Sequence, residues 1–153
     1  PPKPPVPGES ATKTAVELAL EASLRAQNAD GSWGDAGEIV GSHRYTRTGA
    51  TALSLLALLG AGYSPWSKDL LDGIPAGERV AKALDWLKAN LEGDSLNLSL
   101  AALALNEAYG LTGSARFKES AEGALAKITA AQGADGTGSG PGFRMHAPEL
   151  SHF

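Results

Sequence analysis

Two kinds of helical pattern alternate along the chain. In the first, apolar residues keep to one face. Val16, Leu20 and Leu24 recur at four-residue steps, flanked by Ala19 and Ser23, a spacing that gathers them on one side of a helix. Val80, Ala83, Leu84, Leu87 and Leu91 repeat that arrangement. In the second kind, almost every position is apolar: Ala50, Ala52, Leu53, Leu55, Leu56, Ala57, Leu58 and Leu59. A helix apolar on all sides must be covered on all sides. The pattern predicts five helices. The first starts at Ser10, Thr12 or Thr14, the last having capping-box spacing to Glu17. The second spans 47–60 and is ended by Gly60 and Gly62. The third spans 78–91 and the fourth, again rich in Ala and Leu, 95–109 with Gly110 closing it. The fifth runs from Gly113-Ser114 to near Gln132.

The intervening segments carry turn chemistry. Gln27 to Gly34 contains an Asp-Gly turn, and a polar loop follows to Thr46. A second loop holds Pro65, Gly73, Pro75 and Gly77. Pro1 to Gly8 reads PPKPPVPG, a polyproline-type spacer with nothing to pack into a core. Three regions follow: a Pro-rich linker or tether over 1–10, a helical repeat domain over 11–136, and an irregular extension over 137–153.

The alternation is an internal repeat. Ala19-Leu20, Ala83-Leu84 and Ala124-Leu125 share a register that carries Gln27 onto Leu91 and Gln132, and Asp30-Gly31 onto Asp135-Gly136. Independently, Ala52-Leu53-Ser54-Leu55 matches Ala102-Leu103-Ala104-Leu105, and Gly60 falls on Gly110. A period of about 50 residues is one helix pair with its loops. The expected fold class is therefore all-α. Stacked helix pairs form an open arc or partial toroid of about five main helices, apolar inside and amphipathic outside.

The segment Gln27-Asn28-Ala29-Asp30-Gly31-Ser32-Trp33-Gly34 resembles the QW motif of the prenyltransferase and squalene–hopene cyclase repeat superfamily. Ala83 to Asn90 looks like the outer helix leading into such a motif, and Thr51 to Gly60 resembles its inner helix. The likeness covers residues 11–136 and implies an α/α architecture of inner and outer helices. Departures are specific. Leu91-Glu92-Gly93-Asp94 lacks the motif's Gln and Trp, and Gln132 to Gly140 lacks its Trp. A full toroid of this kind has about twice as many helix pairs, so an open arc with an apolar end is expected.

Family chemistry is missing as well. There is no Asp-x-Asp-Asp for terpenoid cyclisation and no Cys-Gly-Glu-Gln for a thioester. The chain has no cysteine at all, which removes the Asp/Cys/His zinc set of the protein prenyltransferases, disulfides and thiolate nucleophiles. The QW-like residues Gln27, Asp30, Gly31 and Trp33, with their counterparts Gln132, Asp135 and Gly136, are read as structural. Gln27 bonds unpaired carbonyls at the helix end, Asp30-Gly31 makes the turn, and Trp33 packs across helices. A calcium loop does not fit: with Gly31 at position six, Ala26 and Gly37 fall at positions one and twelve, and neither is a ligand.

Other candidates are sparse. His43-Arg44-Tyr45 precedes an inner helix, where loops carry binding contacts. Tyr63 and Trp66 form an aromatic pair beside an inner-helix end, a plug over the helix layer or a partner contact. His146 and His152 match no usual metal spacing. The Gly-rich run Gly133 to Gly142 follows a helix rather than a strand, which argues against a dinucleotide loop. Because inner-helix ends face the cavity in the family the chain resembles, Asp85, Asp94 and Glu107 are the candidate carboxylates: Asp85 is read as solvated on an outer helix, and Glu107, after Asn106 on an apolar helix, as a helix-end or partner contact ahead of a buried polar pair.

A net charge of −4 and no basic cluster argue against nucleic acid as a partner. The apolar run Gly49 to Tyr63 is shorter than a bilayer span. The chain opens without Met or a signal peptide, so an upstream segment is expected: a membrane anchor ahead of Pro1 would suit a periplasmic or membrane-tethered setting, and another domain there leaves the cytoplasm open. No cofactor is expected. The expected function is a non-catalytic interaction or scaffold module, partnered by another protein subunit or by further repeats. The alternative is a reduced terpenoid-cyclase-like or polysaccharide-acting toroid enzyme, which needs an acidic residue such as Glu107 inside a closed apolar cavity.

Overall fold

The structure, a computed structural model, describes residues 9–35, 38–40 and 43–132. It is mostly helical: α1 (Glu9–Arg25), α2 (Arg47–Gly60), α3 (Ala76–Ala89), α4 (Ser95–Thr112) and α5 (Ala115–Ala130). Two short antiparallel hairpins lie between helices. β1 (Glu38–Val40) pairs with β2 (His43–Tyr45), and β3 (Leu70–Leu71) with β4 (Ile74–Pro75).

Local chemistry sets the helix ends. Thr46 caps α2, its hydroxyl accepting from the Gly49 N–H. Asp94 caps α4 by accepting from the Asn97 N–H at 3.1 Å. That helix runs through Gly110 and stops at Gly113, which takes the left-handed conformation at φ 66°. A glycine caps a helix best where the backbone turns left-handed, as Gly113 does and Gly110 does not. α1 begins at Glu9, so Thr14 lies inside the helix and is not its cap. The linker and the helical region therefore meet earlier than the pattern suggests. The counterpart turn at Asp135-Gly136 and the extension over 137–153 lie outside the described residues, as do residues 1–8.

Neither hairpin is foreseen from periodicity. The second had a signal: Asp72-Gly73 between two apolar pairs is the two-residue turn that a tight hairpin favours. Both residues have positive φ, 49° and 74°. The prolines of that loop obscure the signal, although Pro75 sits on a two-stranded edge where its missing N–H does little harm.

α2 and α4 lie side by side, α5 packs back along α4, and α3 covers part of α2. α1 joins through Leu20 and Leu24, and through the contact of Arg25 with Asp72 on the β3–β4 turn. The core is built from Leu55, Leu58, Leu59, Leu84, Leu87, Leu105 and Phe117, all fully or almost fully buried. Burying each such side chain stabilises the fold by about 1.5–3 kcal/mol.

The apolar helices are not covered all round. Ala52, Leu55, Leu58 and Leu59 of α2 are buried, as are Ala101, Ala104, Leu105 and Ala108 of α4. Leu53, however, is 43% exposed and Leu103 56%. These two occupy the same position in the internal repeat. The reason is numerical: a helix flanked by two or three neighbours has a remaining side that nothing reaches.

One buried polar contact fixes how α2 meets α4. Asn97, only 1% exposed, accepts from the Thr46 N–H at 2.9 Å. A Cβ on Gly49 would sit 2.0 Å from that Asn97 Oδ1. Gly49→Ala should therefore destabilise by about 1–3 kcal/mol in urea denaturation. Gly60→Ala in the same helix, with no atom within 4 Å, should be neutral or stabilising by about 0.5–1 kcal/mol. Equal effects at both positions would show that the close approach of Asn97 is not what spaces the two helices.

Candidate functional site

The most densely bonded part of the molecule is the turn after α1. Gly31 makes it possible: its φ is +99°, and a Cβ there would stand 2.8 Å from the Lys82 carbonyl oxygen on α3. The Asn28 N–H donates to the Ser32 carbonyl at 2.8 Å, and the Gly31 N–H to the Asn28 carbonyl at 3.0 Å. The Asn28 side chain donates to the Gly34 carbonyl at 3.1 Å. Asp30 Oδ1 accepts from the Ser32 hydroxyl at 2.6 Å and from its N–H at 3.0 Å, which closes an Asx turn.

Gln27 does not cap its own helix. Its Nε2 donates to the Gly31 carbonyl at 2.9 Å and to the Arg79 carbonyl on α3 at 3.0 Å, while Arg79 donates back to Gln27 Oε1 at 3.3 Å. The side chain is long enough to bridge to α3, and that geometry serves two elements at once. Trp33, 5% exposed, donates its indole N–H to the Ser23 carbonyl at 2.7 Å. Its backbone N–H donates to the Thr51 hydroxyl of α2 at 2.9 Å. The turn thus ties α1, α2 and α3 together.

Arg47 opens α2 and closes this network. It donates to Asp30 Oδ2 at 2.5 Å and to the Ser32 hydroxyl, and its guanidinium lies 5.3 Å from the centre of the Trp86 ring. The Ser32 hydroxyl and N–H, and after them Arg47, hold the Asp30 carboxyl at about 2, against an ordinary 3.8. Arg47, Ser32, Thr51 and Asn97 are the polar residues that the pattern does not single out. For Arg47 the available signal was a charge at the first position of an otherwise apolar helix.

Beside Arg47 is a cleft of about 320 Å³ lined by Thr46, Arg47, Thr48, Trp86, Asn90, Glu92 and Gly93. The Thr48 hydroxyl donates to the Asn90 carbonyl. The Asn90 side chain donates to the Trp86 carbonyl at 2.8 Å.

The remaining candidates are scattered. Tyr45 is half-buried on β2. His43 pairs through its backbone with Val40. Tyr63 is half-buried against the core, whereas Trp66 is 64% exposed, so the two do not act as one plug. Gln132 is exposed just beyond α5. Of the carboxylates, Glu107 is exposed on α4, Asp85 pairs with Lys88 at 3.0 Å, and Asp94 is a helix cap. None stands in an apolar cavity. Among the described residues no group of His, Asp and Glu could hold a metal ion, and no helix is long and apolar enough to cross a membrane.

Comparisons with protein-family models, with curated proteins and with solved structures find no match to this chain.

Two outcomes test the turn. Trp33→Ala should cost about 3–5 kcal/mol in chemical denaturation, and Trp33→Phe about 1 kcal/mol more than its packing change, for the lost indole hydrogen bond. A second test uses pH. Asp30 has a lowered folded value, so its contribution is complete above pH 4 and is lost as pH falls through about 2. Asp30→Asn should flatten the acid limb of the stability–pH curve over that interval. An unchanged limb would mean that the Ser32 hydrogen bonds, with the Arg47 contact, do not hold the Asp30 carboxyl ionised in a way that matters to folding.

Proposed function

We propose that this chain is a non-catalytic interaction module, built from helix-pair repeats like those of the α/α-toroid superfamily, that acts by packing against another protein subunit. The observation carrying this reading is the uncovered side of the two apolar helices. Leu53 and Leu103 hold equivalent repeat positions and are both exposed, and Leu111 of α4 is 42% exposed. Apolar side chains repeated in register on neighbouring helices offer a ready face for association. The carboxylates support this side of the choice. Glu107, the residue an enzyme of this kind would need within an enclosed site, is at the surface. The polar network around Asp30, Ser32 and Arg47 joins helices to one another: the Ser32 hydroxyl that donates to Asp30 is fully buried, and a carboxylate held at about 2 is a weak base.

A photo-crosslinking amino acid at Leu103, used in cells that make the protein, should trap a discrete partner chain. The same group at Glu122, on the exposed side of α5, should trap none. Leu53→Glu with Leu103→Glu should abolish the cross-linked assembly and leave the helical content unchanged. A chain that stays monomeric in native mass measurements and cross-links to nothing from position 103 would overturn the reading.

A further inference from the structure

The cleft beside Arg47 is separate from the exposed leucines, and its chemistry extends beyond association with a protein. Its volume, about 320 Å³, is at the lower end of the range for small-ligand sites, about 300–1,000 Å³. Such a space suits one compact ring rather than a long chain.

Its charges select against ions. The Arg47 guanidinium is already paired with Asp30 and laid over Trp86. The other charged group in the lining, Glu92, is exposed and makes no ion pair among the described residues. An anion would meet that carboxylate, and a cation would find only one carboxylate to hold it.

Its unused hydrogen-bonding capacity has both signs. Arg47 spends only Nη2 on Asp30 and Ser32, so its Nη1 is a donor that makes no hydrogen bond among the described residues. Asn90 spends its Nδ2 on the Trp86 carbonyl, which leaves Oδ1 as an acceptor, and Glu92 adds carboxylate oxygens. The Trp86 indole supplies an apolar wall. A purely apolar ligand would strand these groups without partners, which costs free energy.

We propose that the cleft binds a single ring of a neutral saccharide. A sugar hydroxyl both donates and accepts, so neighbouring hydroxyls can serve Arg47 Nη1, Asn90 Oδ1 and Glu92 together while ring C–H groups rest against the part of Trp86 that lines the cleft beside the guanidinium.

The test is an NMR titration of the ¹⁵N-labelled chain with the methyl glycosides of glucose, galactose, mannose and N-acetylglucosamine. The corresponding disaccharides form a second arm, and sodium acetate, inorganic phosphate and cyclohexanol serve as comparison ligands. A saturable shift of the Trp86 indole and Asn90 side-chain signals is expected for at least one sugar, with Trp66 unmoved. Glu92→Ala, at an exposed position, should weaken that binding about tenfold. Response to the disaccharides but not to the methyl glycosides would support the site and assign it to a unit within a polymer. Response only to acetate, phosphate or cyclohexanol, or no response to any sugar, would overturn the proposal.

Discussion

The first turn of α2 is the point from which the rest of the molecule is positioned. Four residues at or near it, Thr46, Arg47, Thr48 and Thr51, make contacts in different directions. The Thr46 N–H reaches Asn97 of α4, and Arg47 reaches Asp30 and Ser32 in the turn after α1. Thr48 reaches the carbonyl of Asn90 at the end of α3, and Thr51 receives the Trp33 N–H. A helix of Ala and Leu has no directional preference in how it packs, because apolar burial is non-directional. These polar contacts supply the direction. With the start of α2 fixed against three other elements, its apolar length can take only one course through the core.

The same arrangement explains why the turn holds several residues that resemble a site without forming one. Asp30 is strongly acidified and Arg47 is partly buried, features that accompany catalysis in many enzymes. Here each group's partner is another structural group. The carboxylate accepts from Ser32 and Arg47, and the guanidinium rests on Trp86. Perturbed acidity is therefore a by-product of holding a loop to two helices. Two outward-facing features stand apart from that network: apolar side chains at matched positions on α2 and α4, and a small cleft of mixed polarity at the α2–α3 junction.

Much of the fold was legible along the chain. The stripe through Val80, Ala83, Leu84 and Leu87 marks α3, and all four side chains are fully buried. The wholly apolar run marks α2 to its observed limits. The hairpins were not legible as periodicity, because strands of two or three residues are too short to show a period, and only the Asp72-Gly73 turn marked the second. The functional side was less so. Trp33 stands out as an aromatic beside an Asp-Gly turn, but Asn97 sits unannounced in an apolar helix, and its role exists only because Gly49 lets another backbone come close.

Residue order alone determined the alternation of half-polar and apolar helices, the turn at Asp30-Gly31 and the absence of any thiol chemistry. These follow from side-chain periodicity, from the conformational range of glycine and from composition, all of which are local. Tertiary structure decided which side of each apolar helix stays in water, where Gln27 reaches, and that Arg47, Trp86 and Asn90 meet around one cleft. Such facts depend on how many neighbours surround a helix and on contacts between residues far apart in the chain. Local pattern carries no record of either.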